Sequence, residues 1–201
     1  MAIKFQFNKT SMQQLSKDLK IREKALPTLQ AKEAALRLEV KKARATMQGF
    51  EQELETYKLQ AETFITLWGE FPEGLIKVSD IKLNWRKLAG VHIPRLDALS
   101  FELGDIYLHA APAWLGQGVV VMQKQLEIST KIKIAQEALE RLEYARKKTT
   151  QKVNLYDKVQ IPEYKEILLK IKRYMEDEEN LAKSSQKILK QRLAAIEEEA
   201  A

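Results

Sequence analysis

From Leu36 onward the apolar positions alternate in steps of four and three through Val40, Ala43, Met47, Phe50, Leu54, Tyr57, Ala61, Phe64 and Trp68. Carried backwards, the same frame meets Leu29, Leu26, Leu19, Leu15 and Met12, with Arg22 and Glu33 as its interruptions. A 3.5-residue repeat held this long keeps one seam turned toward a partner helix, and so predicts a left-handed coiled coil. A helix lying on a globule would drift at period 3.6 and seldom exceed about 25 residues. Ser11-x-x-Gln14 reads as a capping box, which places the helix start at Thr10 or Ser11.

The run Gly69-Glu-Phe-Pro-Glu-Gly74 ends this first arm, because proline removes a donor and glycine accepts helix-ending geometry. The period then changes. Val78, Ile81, Leu83 and Trp85, and later Val91, Ile93, Leu99, Phe101 and Leu103, favour alternate spacing, with a reversal near Ala89-Gly90. This predicts a small β-hairpin over about 75–105. Pro94 cannot donate to a ladder, so its strand is expected at an edge or beside a bulge.

A second helical arm is expected from about Trp114 to Gly118 almost to the end. Ile128, Ile132, Ala135, Leu139, Leu142, Val153 and Tyr156 carry its stripe, which resumes after Pro162 with Ile167, Leu168, Ile171, Met175, Leu181, Ile188, Leu189, Leu193 and Ile196. Two such arms bury their seams only by folding back on each other. The expected fold is therefore mainly α: a long antiparallel two-helix coiled coil with a small β-hairpin insertion between the helices. Its parts are a first helix over 10–69, a hairpin-containing insertion at the foot over 70–117, and a second helix over 118–198. Roughly 55 paired residues at about 1.5 Å each would span about 80 Å.

Pairing the arms from Gly69 against Gly118 makes opposed residue numbers total about 187. Three expectations follow. Pro27 lies level with Pro162, so both helices are loosened at one height. Lys41, Lys42 and Arg44 fall opposite Arg141, Arg146, Lys147 and Lys148, a basic collar that would attract acidic loops of a surrounding protein. Residues beyond about Asp177 outlast the first arm and need a partner to cover their stripe.

The net charge of +6 raises a nucleic-acid reading. However, 12 basic and 9 acidic residues fall in 1–70, 5 and 5 in 71–117, and 17 and 14 in 118–201. The excess is thin and spread over both arms, unlike a nucleic-acid face. The 18 residues from Ile106 to Gln123 carry no Asp, Glu, Lys or Arg. They also hold His109, Pro112, Gly116, Gln117 and Gly118, which suit a buried turn better than a membrane span. With no cysteine and no signal-peptide pattern, a cytoplasmic location is expected.

Catalytic chemistry is missing from the pattern. Gly69 and Gly74 have Walker spacing, but Leu75 and Ile76 stand where lysine and a hydroxyl residue are required. Gly116-Gln-Gly118 lacks a third glycine. His92 and His109 have no second ligand at metal spacing. Glu176/Asp177 and Glu178/Glu179 read as solvated faces, and no nucleophile elbow occurs. Neither an enzyme nor a cofactor or metal site is expected.

The stretch Lys152-Val153-Asn154-Leu155-Tyr156-Asp157-Lys158-Val159-Gln160-Ile161-Pro162 resembles the segment Arg-Val-Asn-Ala-Leu-Glu-x-x-x-Ile-Pro of the D subunits of V-type (archaeal/vacuolar-type) ATP synthases. Gly90-Val91-His92-Ile93-Pro94 is similar to that family's Gly-Val-x-x-Pro hairpin. Ile167, Ile171, Met175, the acidic run Glu176 to Glu179 and Lys187-Ile188 fall where the family has its apolar stripe, acidic run and Lys-rich end. Leu155 and Tyr156 replace the usual Ala-Leu, and the Ala25-Leu-Pro27 region is only loosely similar. The resemblance implies a central rotor shaft that passes torque between a catalytic hexamer of A and B subunits and a membrane ring. It also implies binding of the small F subunit, seating in the C-type (d) socket, and a place in the cytoplasm peripheral to the membrane. Val153, Asn154, Ile161, Pro162, Gly90, Val91 and Pro94 are the matching positions, with Pro27 and the collar residues beside them. Residue pattern alone also admits a coiled-coil scaffold unrelated to rotary motors, or a basic helical module for membranes or nucleic acid.

Overall fold

The structure is a computed structural model that describes residues 4–62, 68–104 and 112–199. Phe64 and His109, and the first part of the uncharged stretch that starts at Ile106, lie outside the described residues. The chain forms α1 (Lys9–Glu62), β1 (Ile76–Leu88), β2 (Val91–Leu103), α2 (Leu115–Asn154), a π-helical segment (Leu155–Gln160) and α3 (Ile161–Glu199). The mainly α fold and the hairpin between the helices agree with the sequence pattern. The second arm differs from it: a π turn divides two α-helices. Two compact units are present, one built from 1–30 with 150–201 and the other from 31–149.

In the first unit, α1 begins slightly earlier than the capping box suggested. Asn8 is the cap: its side-chain oxygen accepts the Ser11 amide at 2.7 Å, and the Ser11 hydroxyl accepts the Gln6 amide at 3.3 Å. An Asn cap satisfies orphan donors as well as serine does, so Ser11 serves inside the first turn instead. Leu15 of α1 packs with Tyr164, Ile167 and Ile171 of α3, with Met12, Leu19, Leu168 and Met175 beside them. Phe5 joins this cluster, and Phe7 sets its ring 4.8 Å from that of Tyr174. An ion pair between Glu23 and Lys165 at 3.0 Å ties the two helices antiparallel.

In the second unit, Leu36 and Val40 of α1 meet Leu139 and Leu142 of α2. Leu36 and Leu142 are almost wholly excluded from solvent, each worth about 2 kcal/mol by burial. Arg44 and Glu143 pair across the seam, with Arg44 Nε donating at 3.1 Å. Their numbers total 187, the register expected from sequence. A second cluster, Leu75, Leu115 and Val119 with Phe71, Ile76 and Trp114, closes the base of the hairpin. There Gly104 N–H donates to the Leu75 carbonyl at 2.8 Å, and Trp68 Nε1–H caps the Ala61 carbonyl of α1 at 3.0 Å.

β1 and β2 pair antiparallel from Ile76↔Leu103 to Leu88↔Val91, leaving a two-residue turn at Ala89-Gly90. Both turn residues have positive φ, 47° and 84°, the requirement of the tight hairpin turn whose twist matches its strands. A sheet of two strands makes each an edge, which is how Pro94, opposite Trp85, is accommodated. Register shifts fall elsewhere, between Val78 and Asp80 and between Lys82 and Leu83. At about 3.3 Å per residue each 13-residue strand runs about 43 Å. The hairpin tip thereby reaches the coil: Ala89, Val91 and Ile93 pack on the Leu36–Leu142 cluster.

Candidate interaction surfaces

The hairpin tip turns the middle of the second unit into a three-element site. Lys32 Nζ lies 3.5 Å from where a Cβ on Gly90 would sit. Arg141 stacks over the Trp85 ring at 4.9 Å, while Pro94 is buried beneath and Val91 half-buried. Between hairpin and helices lies a cleft of about 540 Å³, with Phe50, Ala135 and Ala138 on its floor and Lys42, Arg86 and Arg95 among its lining.

Of the collar residues, Lys42 lines this cleft, and three have their charge answered by a carboxylate. Arg44 pairs with Glu143, Lys42 with Glu39 at 3.1 Å, and Arg141 with Glu137 at 2.7 Å. Lys148 lies 5.5 Å over the Tyr144 ring. Lys41 and Lys147 are exposed and Arg146 half-exposed; among the described residues these three have no ion-pair partner. The free charge is thus narrower than the run of basic residues suggests, because α-helical i,i+3 and i,i+4 spacing places carboxylates beside Lys42 and Arg141, and Glu143 answers Arg44 across the seam.

In the first unit the matching segment of the second arm surrounds the π turn. Val153 is half-buried and Asn154 exposed at the end of α2; Ile161 is half-buried and Pro162 exposed at the start of α3. The Ile161 amide bonds the Tyr156 carbonyl, five residues back. Arg22 of α1 grips this region: Nε donates to Gln160 Oε1 at 2.9 Å, Nη1 donates to the Asp18 carbonyl at 2.9 Å, and the guanidinium lies 4.5 Å over the Tyr164 ring. Pro27 behaves differently from Pro162, for α1 is helical without a break on both sides of it. The irregularity of the two arms therefore belongs to the second arm.

Beyond Met175, α3 carries an apolar stripe with no cover. Leu181 is 70% exposed, Ile188 53%, Leu189 62% and Leu193 52%. Every residue from 176 to 194 is exposed, because α1 begins at Lys9 and the apolar cluster it shares with α3 ends at Met175.

Titrating groups with displaced pKa values are surface ion pairs rather than reactive centres. Glu127 is held below the ordinary carboxylate value by its hydrogen bond from Lys131, offset in part by burial and helped by Lys124. Glu166 and Glu179 are lowered in the same way by Lys170 and Lys183. Among the described residues no cluster of three His, Asp or Glu is arranged to hold a metal, and no helix is long and apolar enough to cross a membrane.

Sequence reasoning missed the Arg22 grip and the π turn. Arg22 stood out only as a break in the apolar frame. The turn had a signal: Val153 to Ile161 and Tyr156 to Tyr164 are each eight apart where seven is the rule.

Residues 11–191 match the protein family described as the D subunit of ATP synthase. The V-type ATP synthase D subunit of Borreliella burgdorferi is 30% identical over 192 residues, 94% of this chain and 95% of that protein. The protein of the same name from Chlamydia felis is 24% identical over 182 residues, 88% of each chain. That from Thermotoga neapolitana is 27% identical over 126 residues, 62% of each.

Proposed function

The chain belongs to the ATP synthase D-subunit family, and from that premise we propose that it is the central rotor shaft of a V-type ATPase, itself without a catalytic site. As a member of such a complex it passes torque between the catalytic hexamer of A and B subunits and the ion-translocating ring. Nucleotides bind the hexamer, not this chain. The single observation that carries this reading is the bare stripe of α3 from Leu181 to Leu193. An apolar helix face of that length, rimmed by charge, is a surface made to be enclosed by another protein.

The paired ends of the arms enter the A/B hexamer, and the hairpin end points toward the membrane. The small F subunit binds the lower flank, and the base seats in the C-type (d) socket. Lys41, Arg146 and Lys147 supply the charge that meets acidic loops of the surrounding ring of subunits. Because the two arms differ, contacts around the hexamer are unequal, and each orientation favours a different state of each catalytic site through differential contacts. The chain works in the cytoplasm as a peripheral member of the membrane-bound complex and binds no nucleic acid.

Co-expression with A, B and F subunits followed by native mass spectrometry tests the assignment. One copy per complex is expected; a homodimer indifferent to those subunits would defeat it. Truncation before Asp177 is expected to weaken coupling of ATP turnover to ion transport and to leave F bound, whereas loss of F would reverse the assigned polarity.

A further inference from the structure

The π turn at Leu155–Gln160 coincides with a fault in the spacing of the apolar seam. Along the second arm, Leu142, Thr149 and Tyr156 are buried or half-buried at intervals of seven, as are Tyr164 and Ile171, yet Tyr156 and Tyr164 are eight apart. A neighbouring row repeats the fault: Val153 to Ile161 is eight, while Ile161, Leu168 and Met175 follow at seven. Both faults enclose the same residues, 157–160. The first arm has none, since Met12, Leu19, Leu26, Glu33 and Val40 keep intervals of seven throughout.

In an unbroken α-helix each residue turns the chain by about 100°. A surplus residue at this place would swing Tyr164, Ile167 and Ile171 about a quarter-turn away from α1. They are instead buried against Leu15. Widening one turn from four-residue to five-residue hydrogen bonds absorbs a single extra residue, and the Ile161 amide makes such a bond to Tyr156.

We propose that Leu155–Gln160 is a phase joint: it stores one surplus residue so that the seam on both sides stays on α1, and it is the point where the second arm yields first. Two features pin it in place. Pro162, returned to a regular helix, would drive its ring against the Lys158 carbonyl, so the wide turn does not pass toward the C-terminus. Arg22 holds Gln160 and Tyr164, the last residue of the joint and the first buried residue after it. If the chain is the shaft proposed above, torsion of the second arm is taken up here; that consequence rests on the shaft reading, whereas the phase claim does not.

The test uses the full-length chain in four forms: wild type, Pro162→Ala, deletion of Lys158 combined with Pro162→Ala, and deletion of Lys24 from α1 as a control. Lys158 and Lys24 are both exposed, so each deletion changes phase rather than packing. Thermal melts and amide hydrogen exchange are read. Pro162→Ala is expected to keep rapid exchange over 155–160, because the surplus residue remains. The Lys158 deletion with Pro162→Ala is expected to melt within about 3 °C of wild type or above it and to gain about tenfold protection there. Deletion of Lys24 is expected to lower the melting temperature by about 10 °C or more, since the first arm has nothing to spare. The proposal fails if Pro162→Ala alone brings the tenfold gain, which would make proline the cause. It also fails if the Lys158 deletion melts as low as the Lys24 deletion. In assembled complexes, a joint-free form that couples ATP turnover to transport as wild type does would refute the torsional role; failure of wild type to assemble would refute the shaft reading instead.

Discussion

The guanidinium of Arg22 lies 4.5 Å above the ring of Tyr164 while its Nε–H donates to Gln160 at 2.9 Å. One side chain of the first arm thus holds both the π turn and the helix that follows it. Arg22→Leu, which keeps much of the stem, is expected to destabilise the full chain by about 2 kcal/mol through loss of a charged hydrogen bond and a cation–π contact. Arg22→Lys is expected to recover less than half, because lysine lacks the planar fork. Urea unfolding measures both, and a loss under about 0.5 kcal/mol for Arg22→Leu would show the grip to be incidental.

Leucines in the covered and uncovered lengths of the second arm should respond differently. Leu142→Ala removes a side chain that is 1% exposed and is expected to cost about 3 kcal/mol. Leu189→Ala, on the bare stripe, should leave unfolding of the isolated chain within about 0.5 kcal/mol of wild type but weaken assembly with A and B subunits in a pull-down. Equal destabilisation by both substitutions would mean that the stripe is already covered within this chain.

The hairpin turn sets a third expectation. Gly90 has φ +84°, where a Cβ costs about 1–2 kcal/mol, so Gly90→Ala is expected to lower stability by that amount. Ala89 already bears such strain at φ 47°, and Ala89→Gly should therefore be neutral or slightly stabilising despite the lost methyl contact. Thermal melts of the two variants, compared with wild type, check the opposite signs.

Acid should act through Glu127, which bonds Lys124 at 3.2 Å and Lys131 at 2.6 Å. Its folded pKa lies below the ordinary glutamate value of 4.5, so its stabilisation is complete above that value and disappears as pH falls through the lower folded pKa. Glu127→Gln is expected to cost about 0.5 kcal/mol near neutrality, the discounted worth of a mostly solvated pair. The difference from wild type should vanish in strong acid. Unfolding curves at neutral and acidic pH decide it; a gap that widened on acidification would contradict the sign.

Much of the fold was legible because it rests on local rules. The unbroken sevens of the first arm dictated a seam, and alternate spacing around Ala89-Gly90 dictated a hairpin. The surplus of the second arm over the first was readable from length alone. What escaped depends on packing between distant segments. Nothing local states that Val91 and Ile93 will lie on Leu36 and Leu142, since their alternation suits any half-buried strand. Asn8 was passed over as a cap because Ser11-x-x-Gln14 also fits the rule, and only the hydrogen bonds choose between them. The break at Pro162 drew attention to proline's chemistry and away from the count of residues before it. Of the candidate site, the collar was narrowed, because glutamates answer Lys42, Arg44 and Arg141, charges that a one-dimensional reading leaves free.

The solvent-facing end of α3 also bears on what happens to copies made in excess. A helix without tertiary support frays readily, and frayed backbone is what a protease accepts. Orphaned chains would be nibbled back toward Met175 while those seated in a complex keep their full length, so a ragged C-terminus would serve as a record of stoichiometry inside the cell.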